Sequence, residues 1–459
     1  MLKKVAEWNY TNAKHLLSRA LFGFTREDID TALSLSIDDF IDNDLLGETE
    51  TPLPPDAWVN ETPAWDDFDI IYQRYLELVI WQYELMRTQR TSFKEKVVLF
   101  FTNHFVSEAE KVGMPQFLYH QNVLFRNYAF GNFKELTKKV TTDPAMLIYL
   151  DGIYNNKYSP NENYARELME LFTIGIGNYT ETDIREAARA LTGWRIDGLT
   201  STFEMQLFDS GNKEFLGQSG NFYSTDIVDI IFSKDETAKF ICRKLYKEFV
   251  YYIPDENVVS ELATIFRDSN YELKPVFSAI FKSEYFYSDE IKGANIKSPN
   301  DLMVGAMKQF NIKDLTQENY NHILESSDKL KQVNFDPPDV RGWEGQRKWI
   351  STTTLPQRNA FTDSIITGKN IWGDEIGFSM NVLEVARSFD SSENAEQFVE
   401  DVINYITLIP VNQNTKDRML QTLLDGSNIY DWSTYNANAE ARLIRFFKAL
   451  TRLSEYQLS

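Results

Sequence analysis

The chain has 459 residues, enough for one large domain or two to three smaller ones. Its 43% apolar and 25% charged content is that of a globular protein. The net charge of −21 excludes a general nucleic-acid binder, which needs a basic footprint, and opposes docking on anionic lipid.

One cysteine, Cys242, leaves no disulfide framework and no cysteine zinc site within the chain. It sits in the helical run Ala238-Lys239-Phe240-Ile241-Cys242 and reads as a buried, inert thiol. At the N-terminus Lys3 and Lys4 lead into no apolar stretch, so no secretory signal is visible. No apolar run reaches membrane-spanning length. As it stands the sequence predicts a cytoplasmic protein without membrane insertion; a missing leader would make it an exported one.

In chain order, His15-Leu16-Leu17 with Ala20-Leu21 forms an apolar helical stripe stopped near Gly23. Thr25 is suited to cap the next helix. Residues 48–66, rich in Pro, Thr and acids, read as a loop. Helices are expected over 67–105 and 117–150, broken at Gly131-Asn132 and Asp143-Pro144. Phe203, Met205 and Leu207 alternate with polar residues, and Asp209-Ser210-Gly211-Asn212 is turn chemistry, so a small β-hairpin is expected over about 201–216. Helices then resume from Ser224 to Phe310, Lys297-Ser298-Pro299 marking one start. Residues 335–349 form a Pro/Gly/Trp-rich loop, and 379–457 are helical again. The fold class is mainly α: a multi-helical globular domain with a small inserted β-hairpin. Residues 1–375 are expected to form the main domain, with 376–459 a C-terminal helical part packed on it.

The most informative stretch is 161–194, a helical hairpin. Ala165, Leu168, Leu171 and Phe172 form one apolar face of its first helix, while Asn163, Glu167 and Glu170 share another. Arg166 is spaced to pair with Glu162 or Glu170. After the turn 174–178, Thr180 and Asp183 make a capping-box start, and Ile184, Ala187, Ala188, Leu191 and Trp194 are apolar helical positions. Two carboxylates on one face suit a divalent metal or a general acid/base pair. The same spacing is also that of a solvated face laced with salt bridges. The polar loop before the helix, Asp151-Gly152 with Asn155-Asn156, adds donors for a metal or an anion.

Only four histidines are present. His15 and His104 lie in apolar surroundings, where a satisfied core histidine competes with a ligand. His120 precedes Arg126 by six residues and can face the same polar centre; His322 has no partner pattern. No metalloprotease, di-iron, EF-hand, nucleophile-elbow or P-loop motif occurs. In Phe335-Asp336-Pro337-Pro338-Asp339-Val340-Arg341-Gly342-Trp343 the prolines fix the loop; Asp336, Asp339 and Arg341 can point into a cleft, or the loop can serve to pack Trp343.

Several of these runs occur together in one order: His15-Leu16-Leu17 with Arg19-Ala20 and Phe22-Gly23; Asn103-His104-Phe105; Asp143-Pro144-Ala145-Met146-Leu147; Pro160-Asn161-Glu162-Asn163 with Ala165-Arg166-Glu167-Leu168; Ala187 to Trp194; and Phe335 to Trp343. Together they resemble the bacterial domain-of-unknown-function 1800 family over most of the chain. The resemblance implies a bacterial, mainly helical protein, often exported and often encoded beside a sulfatase-like partner. Where this chain has Thr102 and Phe208, the family usually has histidines, so a metal held through them is put in doubt.

The leading functional expectation is a polar site with Glu162, Glu167, Arg166 and His104 as catalytic groups. Arg126, Asn163, His120, Asp336 and Arg341 are its substrate-binding groups, and Asn155 belongs to the same polar centre. Asp151, Glu162 and Glu167 are the candidate ligands for a divalent metal, and the substrate class is anionic. The alternative is a non-catalytic helical scaffold or partner of a sulfatase-like protein.

Overall fold

Asn9 opens the first helix, Tyr10–Ala20, by accepting a hydrogen bond from the Asn12 amide. The computed structural model of the chain describes residues 2–459, and among them twenty-two α-helices carry the fold. The expected caps are present: Thr25 and Asp28 close a capping box on Arg26–Ser34, as do Thr180 and Asp183 on Glu181–Ala190 and Ser298 and Asp301 on Pro299–Gln309. Gly23, at φ +78°, packs on Gly305; a Cβ there would lie 2.3 Å from the Gly305 Cα. Among the described residues no helix is long and apolar enough to cross a membrane.

The buried apolar residues form one continuous core running from Ala13 to Tyr456. At one centre Phe93 meets Phe249, Phe277 and Phe281 edge-on at 4.8, 5.0 and 4.9 Å. The C-terminal helices Val382–Arg387, Ala395–Ile406, Gln413–Leu424 and Ala439–Thr451 contribute to that core. Polar ties add to it: Lys14 Nζ donates to the Thr407 carbonyl (2.7 Å) and Arg358 Nε to Gln457 Oε1 (2.7 Å).

The β insertion consists of two antiparallel ribbons. Trp194–Asp197 pairs with Thr200–Phe203, and Lys213–Phe215 pairs with Gln218–Gly220. Of the alternating stretch only Phe203 is in a strand, paired backwards with Trp194, and Met205–Leu207 forms a 3-10 turn. Trp194, expected on the second helix of the hairpin, lies in a strand. The helix ends at Ala190, and Gly193 at φ +96° redirects the chain.

The first helix of that hairpin also differs from a regular 3.6-residue periodicity. An α-helical turn, Asn163–Glu167, widens into a π-helical one, Leu168–Thr173. Its end leaves carbonyls without intrahelical donors, and a buried and a half-buried side chain supply them. His104 Nε2 donates to the Phe172 carbonyl (2.9 Å), and Lys244 Nζ donates to that of Leu171 (2.9 Å) and to His104 Nδ1 (3.0 Å).

Candidate functional site

The expected site residues fall into four separate settings. His104 caps the π-turn as just described, inside a ring of Phe100, Phe105, Phe133 and Phe172. Burial holds its pKa well below the ordinary histidine value, and Lys244 adds to the depression. The imidazole is therefore neutral, with its proton on Nε2.

Arg126 lies elsewhere in the core. It forms a bidentate ion pair with Glu95, bonds Asn122 Oδ1 at 2.8 Å and stacks over Trp81. His120 is fastened to the Val59 carbonyl (2.9 Å), and Arg341 is an exposed partner of Asp339 (2.8 Å). The structure does not bring these three to the hairpin.

On the hairpin, Arg166 grips Glu181 with two bonds (3.0 and 2.8 Å) and reaches Glu162 at 3.4 Å. This is the salt-bridged face that the spacing allowed. Asn155 is a buried staple: its Oδ1 accepts from the Asn161 amide and its Nδ2 donates to the Ala188 carbonyl, both at 2.9 Å.

A fourth setting gathers several expected residues on a half-buried ledge. Asp151 accepts from Asn163 Nδ2 (3.2 Å) and Lys111 Nζ (3.3 Å), and Lys111 lies over the Tyr149 ring. Burial raises the Tyr149 phenol, and the nearby charges of Glu108, Asp339, Glu167 and Asp336 raise it further. Glu167 is itself pushed up, first by burial and then by Glu170. Two expected residues far apart in sequence, Glu167 and Asp336, thus share one acidic neighbourhood. Among the described residues, no group of three His, Cys, Asp or Glu side chains is disposed to hold a metal ion.

The enclosed chemistry sits in another place. A cavity of about 290 Å³ opens between the first helix, the helix Lys94–His104, the end of Asp235–Phe249 and the 343–349 loop. Arg19, Phe22, Asn103 and Trp343 line it, so three of the sequence runs noted above converge there. Asn103 ties two of them together. Its Oδ1 accepts from the Trp343 amide (2.6 Å), its Nδ2 donates to the Trp343 carbonyl (3.3 Å), and a Cβ on Gly342 would strike it at 2.1 Å.

Arg19 is buried; among the described residues only Nη2 is bonded, to the Ile291 carbonyl at 2.9 Å, and Nε and Nη1 have no partner. Burial pulls the guanidinium down to about 9, so it stays charged at neutral pH. Across the cavity Lys96 pairs with Asp301, whose other bonds cap the helix at Ser298. Glu248 is exposed at the cavity, and desolvation by the surrounding protein raises its carboxyl pKa. Among the described residues no side chain is bonded to that carboxyl. Lys247 and Glu344, both exposed, stand at the mouth.

Residues 15–458 match the family described as "Protein of unknown function (DUF1800)". The chain belongs to that family. No curated protein and no solved structure matches it. The family match spans both the hairpin and the cavity.

Sequence spacing does not single out Arg19, Asn103 or Glu248, which line this cavity. Arg19 and Asn103 stood in the quoted runs, and a basic residue inside an apolar stripe was a usable signal. Glu248 had none: its neighbours in sequence read as an ordinary amphipathic helix.

Proposed function

We propose that this DUF1800 chain is an enzyme acting on a small compound that carries an anionic group, bound in the Arg19 cavity. The observation that supports it is a buried arginine that lines the cavity and, among the described residues, has no ion-pair partner. A buried guanidinium without an ion-pair partner is costly, and an anionic ligand in the cavity offsets its charge. The volume suits a small metabolite. In this reading Arg19 orients the anion and the Lys96–Asp301 pair fixes the wall. Glu248, with its raised pKa and free carboxyl, donates or accepts the proton. Trp343 and its loop limit access of water.

The hairpin residues have structural roles in this reading: Arg166 ties Glu162 to Glu181, and Asn155 ties Asn161 to Ala188. A metal at Asp151, Glu162 and Glu167 lacks supporting geometry, because Asp151 and Glu162 are bonded to other groups and face different partners. A sulfatase-like partner rests on the resemblance alone.

The test is a thermal-shift screen of phosphorylated, sulfated and carboxylated metabolites, with hits followed for turnover by mass spectrometry. Wild type is expected to be stabilised by one anion class, Arg19→Met to lose that response, and Glu248→Gln to bind without turnover. A wild-type response that Arg19→Met keeps in full would sink the proposal. Binding without turnover by wild type would turn it into the non-catalytic alternative.

A further inference from the structure

Away from the cavity, the start of the helix Phe68–Thr88 carries an apolar stripe with no covering element. Phe68, Ile71, Tyr72 and Tyr75 recur at helical spacing and line a groove of about 510 Å³, closed on its other side by Met114 and Leu118. Trp65 walls this groove and also a second one of about 720 Å³, lined by Phe117, Ile148, Tyr154 and Ile196. The two make one trough around the indole. Phe68 is 79% exposed, Tyr154 68%, Tyr72 62% and Trp65 54%. Large aromatics so exposed, side by side, are what a protein interface uses as anchors.

The rim of the first groove carries charge of one sign. Glu110 and Asp336 line it, and Glu108 stands next to them. Among the described residues none of the three is ion-paired; Lys111, whose charge reaches Glu108, pairs with Asp151 and lies over the Tyr149 ring. Burial raises the carboxyls of Asp336 and Glu108; Glu110 raises Asp336 further, and Asp336 and Glu110 raise Glu108 further. At the first groove, acids beside exposed aromatics leave a surface that is apolar in the middle and negative at the edge; in the second, Arg195 is turned to the Asn155 and Trp194 carbonyls.

We propose that this trough docks an amphipathic segment of another protein, with bulky apolar side chains flanked by lysine or arginine. Charge complementarity selects that occupant. A second copy of the chain would set the same acidic rim against itself, and an anionic lipid surface would be repelled. The apolar stripe fits the groove mode of recognition, in which a helix lays one face between aromatic walls. Relief of the carboxylate crowding adds a salt-dependent attraction.

The experiment uses the full chain and three labelled synthetic helical peptides of about 14 residues, read by fluorescence anisotropy: Leu/Lys, Ser/Lys with the same charge, and Leu/Glu with the same apolar face. The Leu/Lys peptide is expected to bind roughly tenfold or more tighter than the other two, and to weaken as salt rises. Phe68→Ser/Tyr72→Ser and Glu110→Gln/Asp336→Asn should each weaken it about fivefold or more. These positions are solvent-facing or half-buried, so circular dichroism and Tm should stay at wild-type values. Equal binding of the Ser/Lys peptide, tighter binding of the Leu/Glu peptide, or indifference to both double variants would overturn the proposal. So would sedimentation showing a wild-type dimer that Phe68→Ser/Tyr72→Ser dissolves, since the occupant would then be a second copy.

Discussion

His104, Arg126 and Asp143 are ionisable groups whose roles follow from burial. For His104, replacement by Ala removes the donor to the Phe172 carbonyl and opens a void among four phenylalanines; about 3 kcal/mol of stability should be lost in urea denaturation. His104→Gln, which keeps a donor, should lose less. Because the folded imidazole titrates below its unfolded value of 6.5, the unfolded chain takes up the proton first. That stability is present above about pH 6.5 and fades as pH falls, and His104→Gln should flatten the acid limb. Asp143 has the opposite sign. Burial lifts its carboxyl to about 7, while Gln121 (2.8 Å) and the Met146 amide (3.2 Å) hold it in place as a helix cap. Its contribution is greatest below the unfolded value of 3.8 and is lost as pH rises towards 7. Asp143→Asn, which still caps, should therefore gain on wild type across that interval and run parallel above it. For Arg126, Arg126→Met leaves Glu95 buried and unpaired and should cost about 3–5 kcal/mol; Glu95→Met/Arg126→Met should cost less than either single change. An Arg126 that served only a substrate would show neither loss. The sequence marked Arg126 and His104 as unusual, but their partners Glu95, Phe172 and Lys244 come from other helices and could not be read from it.

Among the elements, the hairpin and the 335–349 loop show the two ways in which pattern and packing diverge. Apolar spacing located the hairpin's first helix, and the caps at Thr180 and Asp183 located its second. Spacing could not show the π-turn at Leu168–Thr173, because a widened turn is stabilised by donors from elsewhere, here His104 and Lys244. The loop offered two readings, a cleft or a seat for Trp343. Trp343 is buried and clamped by Asn103, while Asp336 faces the external groove and Arg341 the solvent. At Gly342, φ is +79° and the Asn103 side chain fills the space where a Cβ would go. Gly342→Ala should lower stability by about 2–4 kcal/mol, measured by denaturant unfolding, and weaken any anion-induced Tm shift because the cavity wall moves with the loop.

On the scale of the molecule, acids outnumber bases by 21, an excess that ion pairs cannot balance, so repulsion works against folding at low ionic strength. Raising NaCl from about 10 to about 300 mM should raise the Tm by a few degrees, against a background where hydrophobic burial changes little. The sequence by itself determined the helical class, the caps, the position of the β insertion and the family, because these depend on neighbours within a few residues or on whole runs. Only the tertiary structure decided that Arg19, Asn103, Glu248 and Trp343 meet around one cavity while the charged hairpin face turns to Glu181. The physical reason is that a side chain's role depends on which groups remove it from water and which accept its hydrogen bonds. In this fold those groups come from helices and loops tens to hundreds of residues away.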